Sequence, residues 1–291
     1  MKGIILAGGT GTRLYPITKA ISKQLVPIYD KPMIYYPLSI LMSAGIKDIL
    51  IITTEEDQNG FIRLLGDGSE FGINLSYVIQ PSPDGLAQAF LLGEEFIGDD
   101  ECAMILGDNI FFGTGIDSLL KQAVKDAENG FATIFGYPVK DPERFGIMEL
   151  GEDNKVISVE EKPEHPKSEY AITGLYFYPK GVSGKAKLVV PSKRGELEIT
   201  SLNDMYLKEG VLKASLLGKY DTWFDTGTFD SLIEASNVID SFQEQSHSLI
   251  CSPHQIGYEN NWLSKEKLGN IAEKMSKNDY GKALIKLMDR R

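Results

Sequence analysis

The chain is poor in the residues that build disulfide frameworks and zinc sites. Its 291 residues include only two cysteines, Cys102 and Cys251, and three histidines, His165, His247 and His254. Cysteines so placed give neither a disulfide framework nor metal-ligand spacing, and the histidines are too scattered for zinc. Cys102 opens the apolar run "CAMIL" and reads as a small buried residue of a reduced, cytoplasmic protein. Membrane-length apolar runs are also missing. The longest candidate, "MIYYPLSILMSAGI", falls short of the roughly 20 residues a membrane helix needs and contains Pro37. Met1-Lys2-Gly3 followed by "IILA" reads as the start of a strand, with no signal peptide. Basic excess is absent too: the net charge of −11 argues against a nucleic-acid surface. A small anion can still bind wherever a few cations converge.

Hydrophobic residues make up 42% and charged residues 24%, a balance that excludes disorder and allows a substantial core. Buried-looking runs alternate with helical patterns in the first half: "GIILA", "DILIITT", "LSYVIQ", "CAMILG" and "FATIFGYPV" read as strands. Between them, a stretch from Pro32 to Gly45, "GFIRLL", "GLAQAFLLGEEF" and "GIDSLLKQAVKDAENG" read as helices, with Pro37 kinking or delaying the first. Near-continuous apolar strands separated by helices predict an α/β fold with a mostly parallel, Rossmann-like central sheet flanked by helices. From about Arg144 the strands become shorter and more alternating, "GIMEL", "KVISVEEKP" and "YAITGLYFY", which predicts an added mixed-sheet region. "ELEITSLNDMYLKEG" reads as a helix, and "WFDTGTFDSLIEASNVID" runs from a strand end into another. The expected division is residues 1–143 and 144–240 as two halves of one domain, followed by a helical segment over 241–291.

The stretch "ILAGGTGTRLYPITKAISKQL" raises the first question of chemistry. Leu14 stands where a dinucleotide-binding G-x-G-x-x-G requires its third glycine, and no Walker glycine–lysine–Ser/Thr follows. What remains is G-G-x-G-x-R-L and a distant Lys23. Glycines let backbone N–H groups converge on phosphate oxygens, while Arg13 adds a planar donor fork and Lys23 a compact charge. A tight strand–helix turn with a surface arginine is the plainer alternative. Asp108 in "ILGDN" and Asp225 in "WFDTGT" both follow strands, and two such carboxylates can share a hard cation. Each could equally cap a helix or an Asx turn. No Ser/His/Asp or Cys/His constellation is present.

"LAGGTGTRLYPITKAISKQLVPI" resembles the signature of the sugar-nucleotide pyrophosphorylases. "YDKPMIYYPLSILMSAGI", "QPSPDGLAQAF", "LGDNIFFG", "RGELEIT" and "WFDTGT" narrow the resemblance to the branch that joins a thymidylyl group to glucose 1-phosphate. The resemblance runs nearly end to end. It implies a Mg²⁺-dependent reaction of dTTP with glucose 1-phosphate to give dTDP-glucose and pyrophosphate, on the route to dTDP-rhamnose. It makes Arg13, Lys23, Asp108, Lys162 and Asp225 the catalytic set, with Asp108 and Asp225 holding the metal. The nucleotide would lie against Leu6, Gly8, Gly9, Thr10, Gly11, Thr12, Arg13, Gln24, Gln80, Pro83, Gly85 and Asp108. The sugar phosphate would meet Asn109, Gly146, Glu161, Lys162, Ile172 and Arg194, with Gly146 and Ile172 contributing backbone atoms. Without the resemblance, Glu161–Lys162 reads as a surface ion pair and Arg194 as an exposed loop residue.

A glutamine at position 80 offers an acceptor and donors suited to the N3–H and O4 edge of thymine, an edge that uracil shares. The chain departs from the family pattern at Phe229, where histidine is frequent, and at Phe112, where tyrosine is frequent. The resemblance further implies a homotetramer inhibited by dTDP-rhamnose, with the last 50 or so residues contributing to interface and regulation. A non-catalytic sugar-nucleotide sensor would be expected to lose a phosphate cation or a carboxylate, and all five are present.

Overall fold

The computed structural model describes residues 1–9 and 11–289. Among them the strands, in chain order, are β1 (Lys2–Ala7), β2 (Pro27–Ile28), β3 (Lys31–Pro32), β4 (Asp48–Thr53), β5 (Asn74–Ile79), β6 (Cys102–Leu106), β7 (Asn109–Gly113), β8 (Ala132–Pro138), β9 (Gly146–Leu150), β10 (Val156–Glu161), β11 (Tyr170–Tyr178), β12 (Leu212–Leu216) and β13 (Asp221–Asp225). Strands β5, β4, β1 and β6 lie side by side and parallel. The apolar runs of β1, β4 and β6 face protein on both sides, as expected, whereas β5 lies at the sheet edge and is only partly buried. Ile5, Ala7, Ile49, Ile51, Ala103 and Ile105 pack into one core with Leu38, Leu41 and Phe61. Ile4, Leu6, Leu50, Ile52, Cys102 and Met104 pack into the opposite core with Phe90, Tyr178 and Tyr206. The two-residue period of a strand thus separates neighbouring side chains into two layers.

The helices follow their apolar spacing with two adjustments. The helix expected from Pro32 runs Tyr35–Ser43, because Pro32 is taken up by the β2–β3 hairpin. Pro37 sits in its first turn, where a missing N–H breaks no intrahelical bond. The helix expected over "GLAQAFLLGEEF" divides into Gln88–Leu92 and Glu94–Ile97. Gly93 separates them, pressed so close to the sheet that a Cβ there would lie 3.1 Å from Ile4 Cδ1.

Strands β9, β10 and β11 are continuous with the central sheet, because β11 runs antiparallel beside both β6 and β8. The order is β10-β9-β11-β6-β1-β4-β5, with β8 on the other side of β11 and β12 beyond it. One edge of β11 is shared: Ala171 pairs with Ile147 of β9, and pairing with β6 begins at Leu175. Between these contacts, around Ile172–Gly174, the sheet splays and opens a cleft. The parallel strands also reverse order at β1, so the carboxyl ends of β1 and β6 form the crevice where ligands bind in open α/β sheets.

A two-stranded ribbon, β7 with β13, brings "GDN" and "WFDTGT" to the same place by pairing Asp225 with Asn109. Asp221, nearly buried, fastens the far end of this ribbon by accepting from the backbone N–H groups of Gly115 (2.8 Å) and Gly218 (2.9 Å). Helices Pro253–Glu259, Lys265–Lys274 and Asp279–Asp289 carry a small core of their own around Leu268, Ala272, Tyr280 and Leu284. The Tyr280 hydroxyl ties it down through Ser252 (2.7 Å) and His254 (2.9 Å). No helix of the described residues is long and apolar enough to cross a membrane. Cys102 is fully buried, which pushes its thiol pKa far up and leaves it inert.

Replacing Asp221 by alanine removes the acceptor shared by two part-buried N–H donors, so Asp221→Ala is expected to cost about 1–3 kcal/mol in urea unfolding. Unchanged stability would show that the ribbon does not depend on this clamp.

Candidate nucleotide and sugar-phosphate site

The glycine loop leaves β1 at Ala7. Gly9 (φ +104°) and Gly11 (φ +58°) take left-handed backbone that a side chain would resist. Thr18 donates to the Gly11 carbonyl at 2.6 Å and so fixes the loop's exit. Leu14 of the following turn is buried, which anchors the turn and leaves Arg13 exposed beside it. Gly8, Gly9, Gly11, Thr12, Arg13, Lys23, Gln24, Asp108 and Asp225 line one cavity of about 240 Å³. Thr10, expected at this loop, lies outside the described residues.

Lys23 meets Asp108 across the crevice, with Nζ 2.7 Å from Oδ2. Asn109 Nδ2 donates to the other oxygen of Asp108 at 3.0 Å. Burial opposes the charge on Asp108, but the Lys23 ammonium and these hydrogen bonds outweigh it and hold the carboxyl below its ordinary pKa. Asp225 goes the other way. Its pKa is raised by burial and then by the neighbouring Asp108 charge, against the partial relief of Lys23, Arg144 and Arg13. Neither aspartate is consumed as a helix cap. The helix Phe229–Ser246 is capped by Thr228, whose hydroxyl accepts from the Ser231 N–H. Thr226 binds the Asp108 backbone carbonyl at 2.7 Å and leaves both side chains facing the cavity.

A pair of carboxylates whose mutual repulsion one lysine only partly relieves is an oxygen donor set suited to a hard divalent cation. Among the described residues no group of three or more His, Cys, Asp or Glu forms an all-protein metal cage. Phosphate oxygens and water would therefore complete the shell, which is how Mg²⁺ is ordinarily held.

Leu6, Gly8, Gly9, Gln24, Gln80, Pro83, Gly85 and Asp108, all expected at the nucleotide, line a second cavity of about 250 Å³. Leu86, Leu106 and Glu196, not foreseen, complete it. Gly8 lies close to the Gln80 amide: a Cβ there would sit 2.3 Å from Gln80 Oε1 and would displace it. Gly85 (φ +111°) lies against Leu197, whose backbone bonds Asp84 and Ala87 on either side. The "QPSPDG" and "RGELE" loops are thereby clipped together.

The third cavity, about 660 Å³, is the cleft opened by the splayed sheet. Asn109, Gly146, Lys162 and Ile172 line it together with Arg13, Asp108 and Asp225. Lys162 has φ +43°, an uncommon conformation for a residue with a side chain, of a kind that recurs at ligand sites. Glu161 stands at the cleft edge, accepting from Thr200 Oγ1 at 2.5 Å. Arg194 is outside the cleft lining. It is held by Glu198 at 2.9 Å and lies 3.5 Å from Glu161. Asn109 lines the cleft, but its Oδ1 is already taken by Trp223 Nε1 (2.6 Å) and Gly174 N (3.0 Å). Arg144, Phe145, Tyr176 and Trp223 also form the wall and were missed. Trp223 belongs to the quoted "WFDTGT", where its indole was a readable signal. Phe112 packs on Phe224 and Phe242, away from all three cavities, and Phe229 is exposed at the start of its helix.

Residues 2–241 match the family model described as nucleotidyl transferase. The chain is 56% identical to a glucose-1-phosphate thymidylyltransferase of Neisseria meningitidis over 288 residues, 99% of each chain. A Mycolicibacterium smegmatis protein of the same name is 48% identical over the full length of both. Among solved structures, a Bacillus anthracis protein provisionally given that name, with sucrose bound, superposes at TM-score 0.74 with 44% identity, covering 82% of this chain and 94% of that one. A UDP-glucose pyrophosphorylase holding UDP-glucose superposes at TM-score 0.73 with 26% identity, covering 82% and 98%. With the glycine loop, the carboxylate pair and the cleft all inside the matched residues, the chain belongs to the nucleotidyl transferase family.

Proposed function

We propose that the protein transfers the thymidylyl group of dTTP to glucose 1-phosphate, giving dTDP-glucose and pyrophosphate. One observation carries this reading: Asp108 lines the phosphate, base and sugar cavities alike, so three compartments of suitable chemistry meet at one carboxylate. In the reaction a sugar-phosphate oxygen forms a new bond to the α-phosphorus as the bond to pyrophosphate breaks. That oxygen is already ionised near neutral pH, so no general base is required. The protein's task is to bring two anions together. Arg13 and Lys23 face the triphosphate, Lys162 faces the sugar phosphate, and Arg144 adds charge at the cleft wall. Asp108 and Asp225 would hold Mg²⁺, which when bound neutralises triphosphate oxygens and makes the α-phosphorus more electrophilic. Gln80 reads the pyrimidine edge, while the backbone at Gly146 and Ile172, with Glu161, receives sugar hydroxyls.

From the family resemblance we also propose a homotetramer, feedback inhibition by dTDP-rhamnose and entry of the product into deoxysugar synthesis. A monomer in light scattering, or initial rates unchanged by saturating dTDP-rhamnose, would remove the corresponding part.

Pyrophosphate release should require dTTP, glucose 1-phosphate and Mg²⁺ together. Asp108→Asn should lower kcat by about 10²–10³, the scale for losing one preorganised charge. Release that persists in the variant would remove Asp108 from the chemistry, and none in the wild type would favour a sensor. Lys162→Ala should weaken kcat/KM for glucose 1-phosphate by about 10–100-fold while the KM for dTTP stays near its wild-type value. Equal losses toward both substrates would contradict the assignment of Lys162 to the sugar phosphate.

A further inference from the structure

Gln80, 9% exposed, presents its carboxamide to the base cavity, and its usefulness there depends on which way round the amide lies. With the oxygen facing the base it accepts from an N3–H. Turned over, it would donate there instead and suit a base whose N3 is an acceptor.

The neighbouring side chains remove this freedom. Gln80 Nε2 donates to Gln88 Oε1 at 2.7 Å, and Gln88 Nε2 donates to Asp84 Oδ2 at 2.9 Å. An ionised carboxylate is an acceptor only, so the direction of the relay is set at Asp84. Gln88 must turn its NH₂ toward Asp84, which leaves its oxygen toward Gln80, which in turn keeps its NH₂ toward Gln88. The Gln80 oxygen is then directed at the glycine loop, where a Cβ on Gly8 would lie 2.3 Å from it. One Nε2 hydrogen remains free. The cavity therefore sees one acceptor and one donor, the complement of an N3–H beside a carbonyl. Asp84 is itself held: Ser82 Oγ also donates to Oδ2, and its backbone carbonyl accepts from Leu197 N at 2.6 Å.

We propose that Asp84 and Gln88 are positioning residues for base choice, fixing the Gln80 amide so that the site accepts pyrimidines carrying an N3–H and rejects those with an unprotonated N3. This rests on the nucleotidyl-transfer reading and deepens it. Neither residue touches the base; both act through Gln80. The thymine methyl plays no part, so the relay treats thymine and uracil alike and opposes cytosine.

The test compares dTTP, dUTP and dCTP, which share triphosphate and deoxyribose, in wild type, Asp84→Asn and Gln88→Leu. Asparagine can donate as well as accept, so the first variant releases the direction of the relay without altering its shape. Leucine removes the acceptor that holds Gln80. The ratio of kcat/KM for dTTP to that for dCTP should fall about tenfold or more in both variants, the scale at which mispaired polar groups discriminate. The dTTP to dUTP ratio and the KM for glucose 1-phosphate should not change. Parallel losses toward dTTP and dCTP, with the ratio preserved in both variants, would overturn the proposal. Calorimetric binding of dTTP and dCTP, measured without sugar phosphate, separates the two readings. Wild-type preference for dTTP without pyrophosphate release would defeat the catalytic reading, and the variants' binding ratio would still decide the relay. Equal wild-type affinity for the two nucleotides would defeat the relay directly.

Discussion

The carboxamide of Asn109 ties the two halves of the site together. Its oxygen accepts from Trp223 Nε1 and from Gly174 N, and its nitrogen donates to Asp108. Gly174 lies where the shared edge of β11 is left between β9 and β6, and Trp223 lies on β13. One 3%-exposed side chain therefore joins the splayed sheet, the ribbon and the central carboxylate. A carbonyl oxygen has two lone pairs, and both are in use here. Expected at the sugar phosphate, Asn109 lines the cleft with its oxygen fully used and one Nδ2 hydrogen still to donate, and it also holds the cleft walls in place beside Asp108. Gly174 is confined by the same arrangement, since a Cβ there would meet Asn109 Oδ1 at 2.7 Å.

Charge is arranged on the same plan. The chain carries a net −11, yet Arg13, Lys23, Arg144 and Lys162 line connected cavities. Diffuse surface charge is screened over roughly 8–10 Å by salt, whereas cations lining a crevice act at contact range, so bulk acidity does not prevent anion binding. The two aspartates share this field unequally. Lys23 contacts Asp108 and stabilises its charge, while Asp225 bears the repulsion that remains. That imbalance is what a further cation would relieve, and it makes the pair a better metal site than either aspartate alone.

Most of the parallel core was legible because its signals are local. Alternation over β1, β4 and β6 separates into two cores, and the glycine loop states its left-handed positions in its own residues. The loop residues, Gln80, Gly85 and the two aspartates were also placed together by motif order. What escaped depends on partners far along the chain. The joining of β11 to β6 unites residues about 70 apart, and the Asn109 tie reaches 65 and 114 positions away. From its neighbours in sequence alone Lys162 read as half of a surface pair, because its backbone conformation is set at the open end of the β9–β10 pair, where its N–H bonds the Phe145 carbonyl. Arg194 was matched to phosphate, while the folded loop sets it among Glu161, Glu196 and Glu198.

The division of labour in the cleft follows from this geometry. On the proposed reading, base choice falls to Gln80, on a loop whose backbone is clipped to Leu197, and sugar choice to the wall built by β9, β10 and β11. These surfaces belong to different strands and share Asp108 and Leu106 in their linings. A change in either wall can alter selection without moving the carboxylates, provided the Asn109 tie holds. Phe112 stands outside both walls, packed against Phe224 and Phe242, where the buried hydroxyl of a tyrosine would need its own partner. The departure from tyrosine there is therefore accounted for by packing, and it leaves untouched the proposed reaction centre of Asp108, Asp225 and the cations that face them.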